Sequence, residues 1–149
     1  MRGLQLVKKT YFVIALIFGI LIVVKSGLKE DPRNYLYQDF YDFVEFFKPK
    51  VFIMENVPTM KTKYKGQLFE NLLRKIETIK YHADFEILNS VNYGVPQTRK
   101  RLFVVGFRSK ANCKKFKFPS KTHYAPNDSD DSNEKKSLLK YVTVKDAIS

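Results

Sequence analysis

The segment Val51–Met60, V-F-I-M-E-N-V-P-T-M, constrains this chain most, because a buried-type strand stops there at a carboxylate, an amide and a proline. Val51, Phe52, Ile53 and Met54 follow Pro49 as a short continuous apolar run, the pattern of a strand covered on both faces. Glu55 and Asn56 fall at its carboxyl end. Ligands of open α/β sheets bind at that edge, which makes Glu55 a candidate for chemistry. It could equally cap a turn, with Asn56 tolerating an awkward backbone angle.

The neighbouring segments supply helices and further strands. Asp31 and Pro32 suit an N-cap and a first helical position. Leu36, Phe40, Phe43, Val44 and Phe47 then recur at helical spacing until Lys48 and Pro49 close the element. A second amphipathic helix is expected over about residues 67–80, with Leu68, Leu72, Leu73, Ile76 and Ile79 on one side. Between strand and helix, residues 58–66 form a loop with Lys61, Lys63 and Lys65, which either meet phosphates or are solvated. Phe85–Val91 and Leu102–Phe107 read as strands, and Gly94 and Pro96 mark a reversal between them. So short a connection makes the two antiparallel neighbours. Together these elements predict part of a mostly parallel sheet with one antiparallel strand.

The beginning of the chain is of another kind. Tyr11–Val24 is apolar but for one hydroxyl, with Lys8 and Lys9 before it and Lys25 after it. As a helix these fourteen positions would reach only ~21 Å, short of the ~30 Å hydrocarbon core. A buried segment, a marginal membrane anchor and an export signal all stay open, although no small-x-small cleavage site follows. Lys and Arg number 27 against 15 Asp and Glu, and the net charge of +12 favours nucleic acid or an anionic membrane surface as partner. One cysteine, Cys113, and two histidines exclude a disulfide framework and any Cys-based zinc cluster, so no metal site is expected. A reducing, cytoplasmic setting is the default, with membrane association through residues 11–24 as the alternative. At 149 residues there is room for one domain. Its parts are expected at 1–26 (apolar segment), 27–125 (core), 126–137 (polar linker) and 138–149 (renewed order).

Two features stand out as a possible site: Glu55-Asn56-Val57 at a strand end, and Gln97-x-Arg99-x-Arg101 entering a strand. Residues 99 and 101 share a face of an extended segment, so two guanidinium groups could point into one site, or be exposed charges. In this order, and about forty residues apart, F-I-M-E-N-V and Y-G-V-P-Q-T-R-K-R-L-F-V-V-G resemble the glutamate and Q-x-R-x-R motifs of the DNA (cytosine-5)-methyltransferases. K-E-D-P-R-N-Y-L, F-P-S-K-T-H at Phe118–His123 and V-T-V-K-D-A-I at Val142–Ile148 also resemble that family, so the likeness runs from Gly27 to Ser149.

The resemblance implies an α/β fold, the C-terminal half of a Rossmann-like methyltransferase sheet, here with an apolar N-terminal helix before it. It implies methyl transfer from S-adenosylmethionine to C5 of cytosine in double-stranded DNA, as in restriction-modification. Such enzymes add a cysteine thiolate at C6 of a flipped-out base. The family's glutamate, here Glu55, holds N3 and the exocyclic amine as a general acid. Its arginines, here Arg99 and Arg101, face O2, with Asn56 and Gln97 in support. The family's Pro-Cys nucleophile and its Gly-rich cofactor loop have no counterpart: Gly3 and Gly19 make no such loop, and Cys113 follows the arginine motif. The cofactor-binding residues are therefore unassigned. The chain is expected to be a fragment, inactive alone. It could also be one subunit of a split enzyme whose second chain supplies the missing half, a non-catalytic basic DNA-binding module, or a membrane-tethered remnant.

Overall fold

A computed structural model describes residues 12–14, 36–124 and 137–148. The expected N-cap at Asp31 and most of the polar linker lie outside these residues. The elements are β1 (Phe12–Ile14), α1 (Leu36–Phe47), β2 (Val51–Asn56), α2 (Gln67–Thr78), β3 (His82–Asn89), β4 (Lys100–Phe107), α3 (Lys110–Lys115), β5 (His123–Tyr124), β6 (Leu139–Lys140) and α4 (Val144–Ile148). Short 3-10 turns fill Pro58–Lys61, Lys63–Gly66 and Ser90–Tyr93.

Four strands form one sheet in the order β1-β2-β4-β3, and β5 pairs with β6 in a small second sheet. β1 runs parallel to β2, whereas β4 is antiparallel to both β2 and β3. The sheet is thus parallel except for β4, as the β-α-β-β order predicts. Of the expected apolar N-terminal helix only Phe12–Ile14 lie among the described residues, and these three form a strand. Val13 and Ile14 are β-branched, which favours extended backbone, and pairing with β2 satisfies N–H and C=O groups on an edge that would otherwise be unpaired. No helix among the described residues is long and apolar enough to cross a membrane.

Both long helices cover one sheet face. Tyr41 and Val44 of α1 and Leu72 and Ile76 of α2 are buried with Phe52, Met54, Leu102 and Val104, the alternate residues of β2 and β4. The Tyr41 hydroxyl donates to the Leu72 carbonyl at 3.2 Å, joining the helices across the core. The Phe52 ring packs between Phe40 and Tyr81, at centroid distances of 5.4 and 5.3 Å. It also lies over Gly106, where a Cβ would sit 2.1 Å from its ring carbons. Its seat exists only because β4 has no side chain at that point.

The boundaries differ from expectation where a turn intervenes. β3 spans His82–Asn89 rather than Phe85–Val91, because the chain then tightens into a turn that buries Val91 and Asn92. The basic stretch after Arg108 begins as a short helix, α3, whose start Ser109 caps by accepting from the Asn112 amide. Phe116 follows it and returns to the sheet, 5.2 Å from Phe107. In the renewed order at the end of the chain, Thr143 and Asp146 exchange hydrogen bonds as a capping box for α4.

Two measurements test this core. Gly106→Ala forces the Phe52 ring or β4 to move, and should lower the urea midpoint by an amount worth about 1–3 kcal/mol or more. Tyr81 donates its hydroxyl to the Pro49 carbonyl, and burial pushes its phenol from 10.0 up to about 12, against a smaller downward pull from Arg108. A group whose folded value is raised stabilises fully below its unfolded value and loses that contribution as pH rises through the folded one. Folding stability should therefore fall between pH 10 and about 12, and Tyr81→Phe should flatten that fall.

Candidate functional site

The carboxyl end of β2 meets the amino end of β4, so the glutamate and arginine motifs share one edge of the sheet. Glu55 stands opposite Phe103 in the ladder, which puts Arg101 at the diagonal position on the same face. The diagonal spans ~7–8 Å between backbones, within reach of two long side chains. Arg101 Nε donates to Glu55 Oε1 at 2.8 Å, and its Nη1 donates to the Lys100 carbonyl at 2.8 Å. The two side chains are 23% and 16% exposed, so the pair is screened on one side and open on the other. That opening gives a planar polar ligand access to both groups.

Asn56, the next residue, points to the opposite face and is buried. Its Oδ1 accepts from the Val57 amide at 2.8 Å, which fixes the chain as it leaves the strand. Pro58 then enters the 3-10 turn, and the lysine loop follows. There Lys61 lies 5.0 Å over the Phe85 ring. Tyr64, Lys65 and Gly66 all take positive φ, turning the loop sharply into α2.

Arg99 and Gln97 precede β4 and are exposed. Their backbones are held all the same. The Arg99 amide donates to Asn89 Oδ1 at 3.1 Å, its carbonyl accepts from the Ser90 amide at 3.0 Å, and the Gln97 carbonyl accepts from the Ser90 hydroxyl. Of the two arginines, Arg101 pairs with Glu55, and Arg99 lies one residue before β4 with an exposed side chain.

Sequence reasoning missed one support. Thr122 donates its amide to the Asn92 carbonyl at 3.0 Å, and the His123 ring occupies the space beside Gly94, 2.9 Å from where a Cβ would lie. The Tyr93 hydroxyl reaches the Pro119 carbonyl at 3.0 Å. The F-P-S-K-T-H segment therefore braces the turn that leads into the arginine motif. Gly94, whose φ is +79°, marked the turn in the sequence, but the segment that braces it is revealed only by the fold.

Cys113 lies on α3, and its thiol is pushed up by burial and by the Asp84 carboxylate. A raised thiol is a poor nucleophile at neutral pH, and Asp84 belongs to the edge strand rather than to the Glu55 corner. The glycines within the described elements and turns are also committed: Gly66 starts α2, Gly94 seats His123, and Gly106 seats Phe52. None forms a cofactor cradle at the Glu55 edge.

The sequence model of the C-5 cytosine-specific DNA methylase family matches residues 23–148. Type II methyltransferase M.DdeI of Desulfomicrobium norvegicum is 43% identical over 84 residues, 54% of this chain and 20% of that protein. Type II methyltransferase M.AquIA of a Picosynechococcus species is 36% identical over 129 residues, covering 80% of this chain and 51% of that protein. Among solved structures, a prophage-encoded DNA modification methyltransferase (E. coli) superposes with TM-score 0.53 at 28% identity, over 80% of this chain and 30% of that one. The chain thus spans between a fifth and about half of the length of these relatives.

Removing Arg101 tests the pair directly. Arg101→Met leaves Glu55 half-buried without its cation and should cost about 1–2 kcal/mol. In a double-mutant cycle with Glu55→Gln, a coupling of about 1 kcal/mol is expected from urea midpoints.

Proposed function

This chain belongs to the C-5 cytosine-specific DNA methylases, and from that premise we propose that it carries the base-holding half of a DNA (cytosine-5)-methyltransferase. The observation that carries this is the 2.8 Å ion pair between Glu55 and Arg101 at the carboxyl edge of the sheet. A cytosine turned out of the duplex would meet Glu55 with N3 and its exocyclic amine, and Arg101 with O2. Nucleophilic addition at C6 builds negative charge on N3 and O2. A general acid at N3 and a guanidinium at O2 offset that charge where it appears. We assign Arg99 to the same rim, with its exposed guanidinium at the entrance. Asn56 holds the loop that carries Glu55, and Gln97 helps to hold the turn before Arg101.

The family's methyl donor is S-adenosylmethionine. The described residues do not fit it. Their glycines are committed to packing and turns, and a cleft of about 470 Å³ lined by Lys48, Tyr81 and Arg108 lies at the other end of the sheet. No methyl-transfer step is therefore drawn through this chain. In this proposal the thiolate and the cofactor site come from outside these residues, and double-stranded DNA is the substrate. The exposed Lys61 and Lys65 would hold its backbone.

The net charge of +12 favours a second reading, a basic module that binds DNA through phosphates without engaging a base. A duplex with a fluorescent cytosine analogue at one position separates the two. Base holding should raise the analogue's fluorescence, and Glu55→Ala should abolish the rise while leaving phosphate affinity unchanged. A response indifferent to Glu55, with affinity falling steeply in salt, would leave only the basic module. With labelled S-adenosylmethionine these 149 residues alone should transfer no methyl group to DNA, and detectable transfer would overturn the claim that they hold only the base-holding half.

A further inference from the structure

At the end of the sheet opposite Glu55, roughly 20 Å away along β4, the carboxyl ends of α1 and α2 come together. They enclose a cleft of about 470 Å³ lined by Glu45, Lys48, Thr78, Lys80, Tyr81 and Arg108. That volume lies in the range of small-molecule sites.

The two lysines hold unusual backbone positions. Lys48 follows the last residue of α1 with φ +45°, and Lys80 lies two residues past α2 with φ +62°. Helices commonly end on a left-handed residue, but glycine or asparagine takes that place with least strain. Here both positions carry a lysine, and both lysines line the same cleft. Arg108 is the third cation. Its Nη1 donates to the Lys48 carbonyl at 2.8 Å, which fixes the guanidinium across the gap.

A structural explanation is that cations gather at helix carboxyl ends to answer the helix dipole. It accounts for part of the charge only. Each helix end supplies about half a negative charge, and Glu45 supplies one carboxylate. Against three cations these leave about one positive charge without an answer. The two hydroxyls already have partners, Tyr81 on the Pro49 carbonyl and Thr78 on the Arg74 carbonyl. Recognition would therefore fall to the cations.

We propose that this cleft binds a phosphate group, carried either by a small organic phosphomonoester or by an anionic lipid headgroup. Lys48, Lys80 and Arg108 hold the phosphate oxygens, and the guanidinium fork gives the site its direction. The site is separate from the Glu55 edge.

The left-handed lysines allow a test that folding failure does not obscure. Lys48→Gly and Lys80→Gly remove charge while relieving backbone strain, so the doubly substituted chain should melt at or above the wild-type temperature in chloride. Inorganic phosphate or pyrophosphate at constant ionic strength should raise the wild-type melting temperature, and the double substitution should weaken binding about tenfold or more. In a second arm the full chain is mixed with vesicles of phosphatidic acid or of phosphatidylcholine. Binding to phosphatidic acid alone, lost in the double variant, would mark the headgroup as the source, and a response to soluble phosphate would mark a small ligand. The proposal is overturned if wild type responds in neither arm, or if the double variant responds as wild type does.

Discussion

The register between β2 and β4 is the constraint on which this structure depends. It is fixed by one large ring and one missing side chain: Phe52 stands opposite Gly106, and its ring occupies the volume that any Cβ there would fill. A slip of one residue would put Val105 or Phe107 opposite Phe52 and turn every side chain of β4 to the other face. The buried alternation Phe52, Met54, Asn56 against Leu102, Val104, Gly106 would be lost. So would the diagonal between Glu55 and Arg101. The packing that excludes water from one face is thus what aligns the charges on the other.

This coupling explains why the candidate site needs few contacts of its own. Glu55 and Arg101 lie on a pleat whose opposite face is anchored by α1 and α2, so their backbones are ordered before any ligand arrives. The turn entering β4 is held from the other direction by Thr122 and His123, which come from beyond β4 in the chain. Residues that touch nothing in the site therefore set its geometry.

Much of this was legible in the sequence, for identifiable reasons. The apolar run from Val51 to Met54 announced a strand, although only its Phe52 and Met54 face is fully buried, and the short connection between β3 and β4 leaves an antiparallel pair as the natural outcome. The motifs around Glu55 and Arg101 pointed to one shared site, whereas their pairing is seen only in the structure. What escaped depends on contacts made across the chain. Arg99 lies one residue before β4, and its backbone is held by Asn89 and Ser90, contacts from a different strand that spacing within the motif does not announce. The strand at Phe12–Ile14 reads as helix by composition, and only the free edge of β2 gives it a partner. Left-handed φ at Lys48 and Lys80 follows from how two helices end, which residue type does not announce.

The ion pair also bears on how a base would be received. Arg101 is held at two points, by Nε on Glu55 and by Nη1 on its own neighbour's carbonyl. The fork has five N–H groups, so further donors remain for an oxygen such as O2 of a pyrimidine. Glu55 is held through Oε1, which leaves Oε2 to face an exocyclic amine. A base could therefore make its first contact through Oε2 with the pair intact, and contact at N3 would follow when Oε1 turns from Arg101 to the ring. The cost of ordering two long side chains has already been met in folding. A carboxylate alone at this edge would be drawn toward solvent. Fixed by Arg101, and aligned by a phenylalanine on the opposite face, it becomes a preformed contact for a planar ligand.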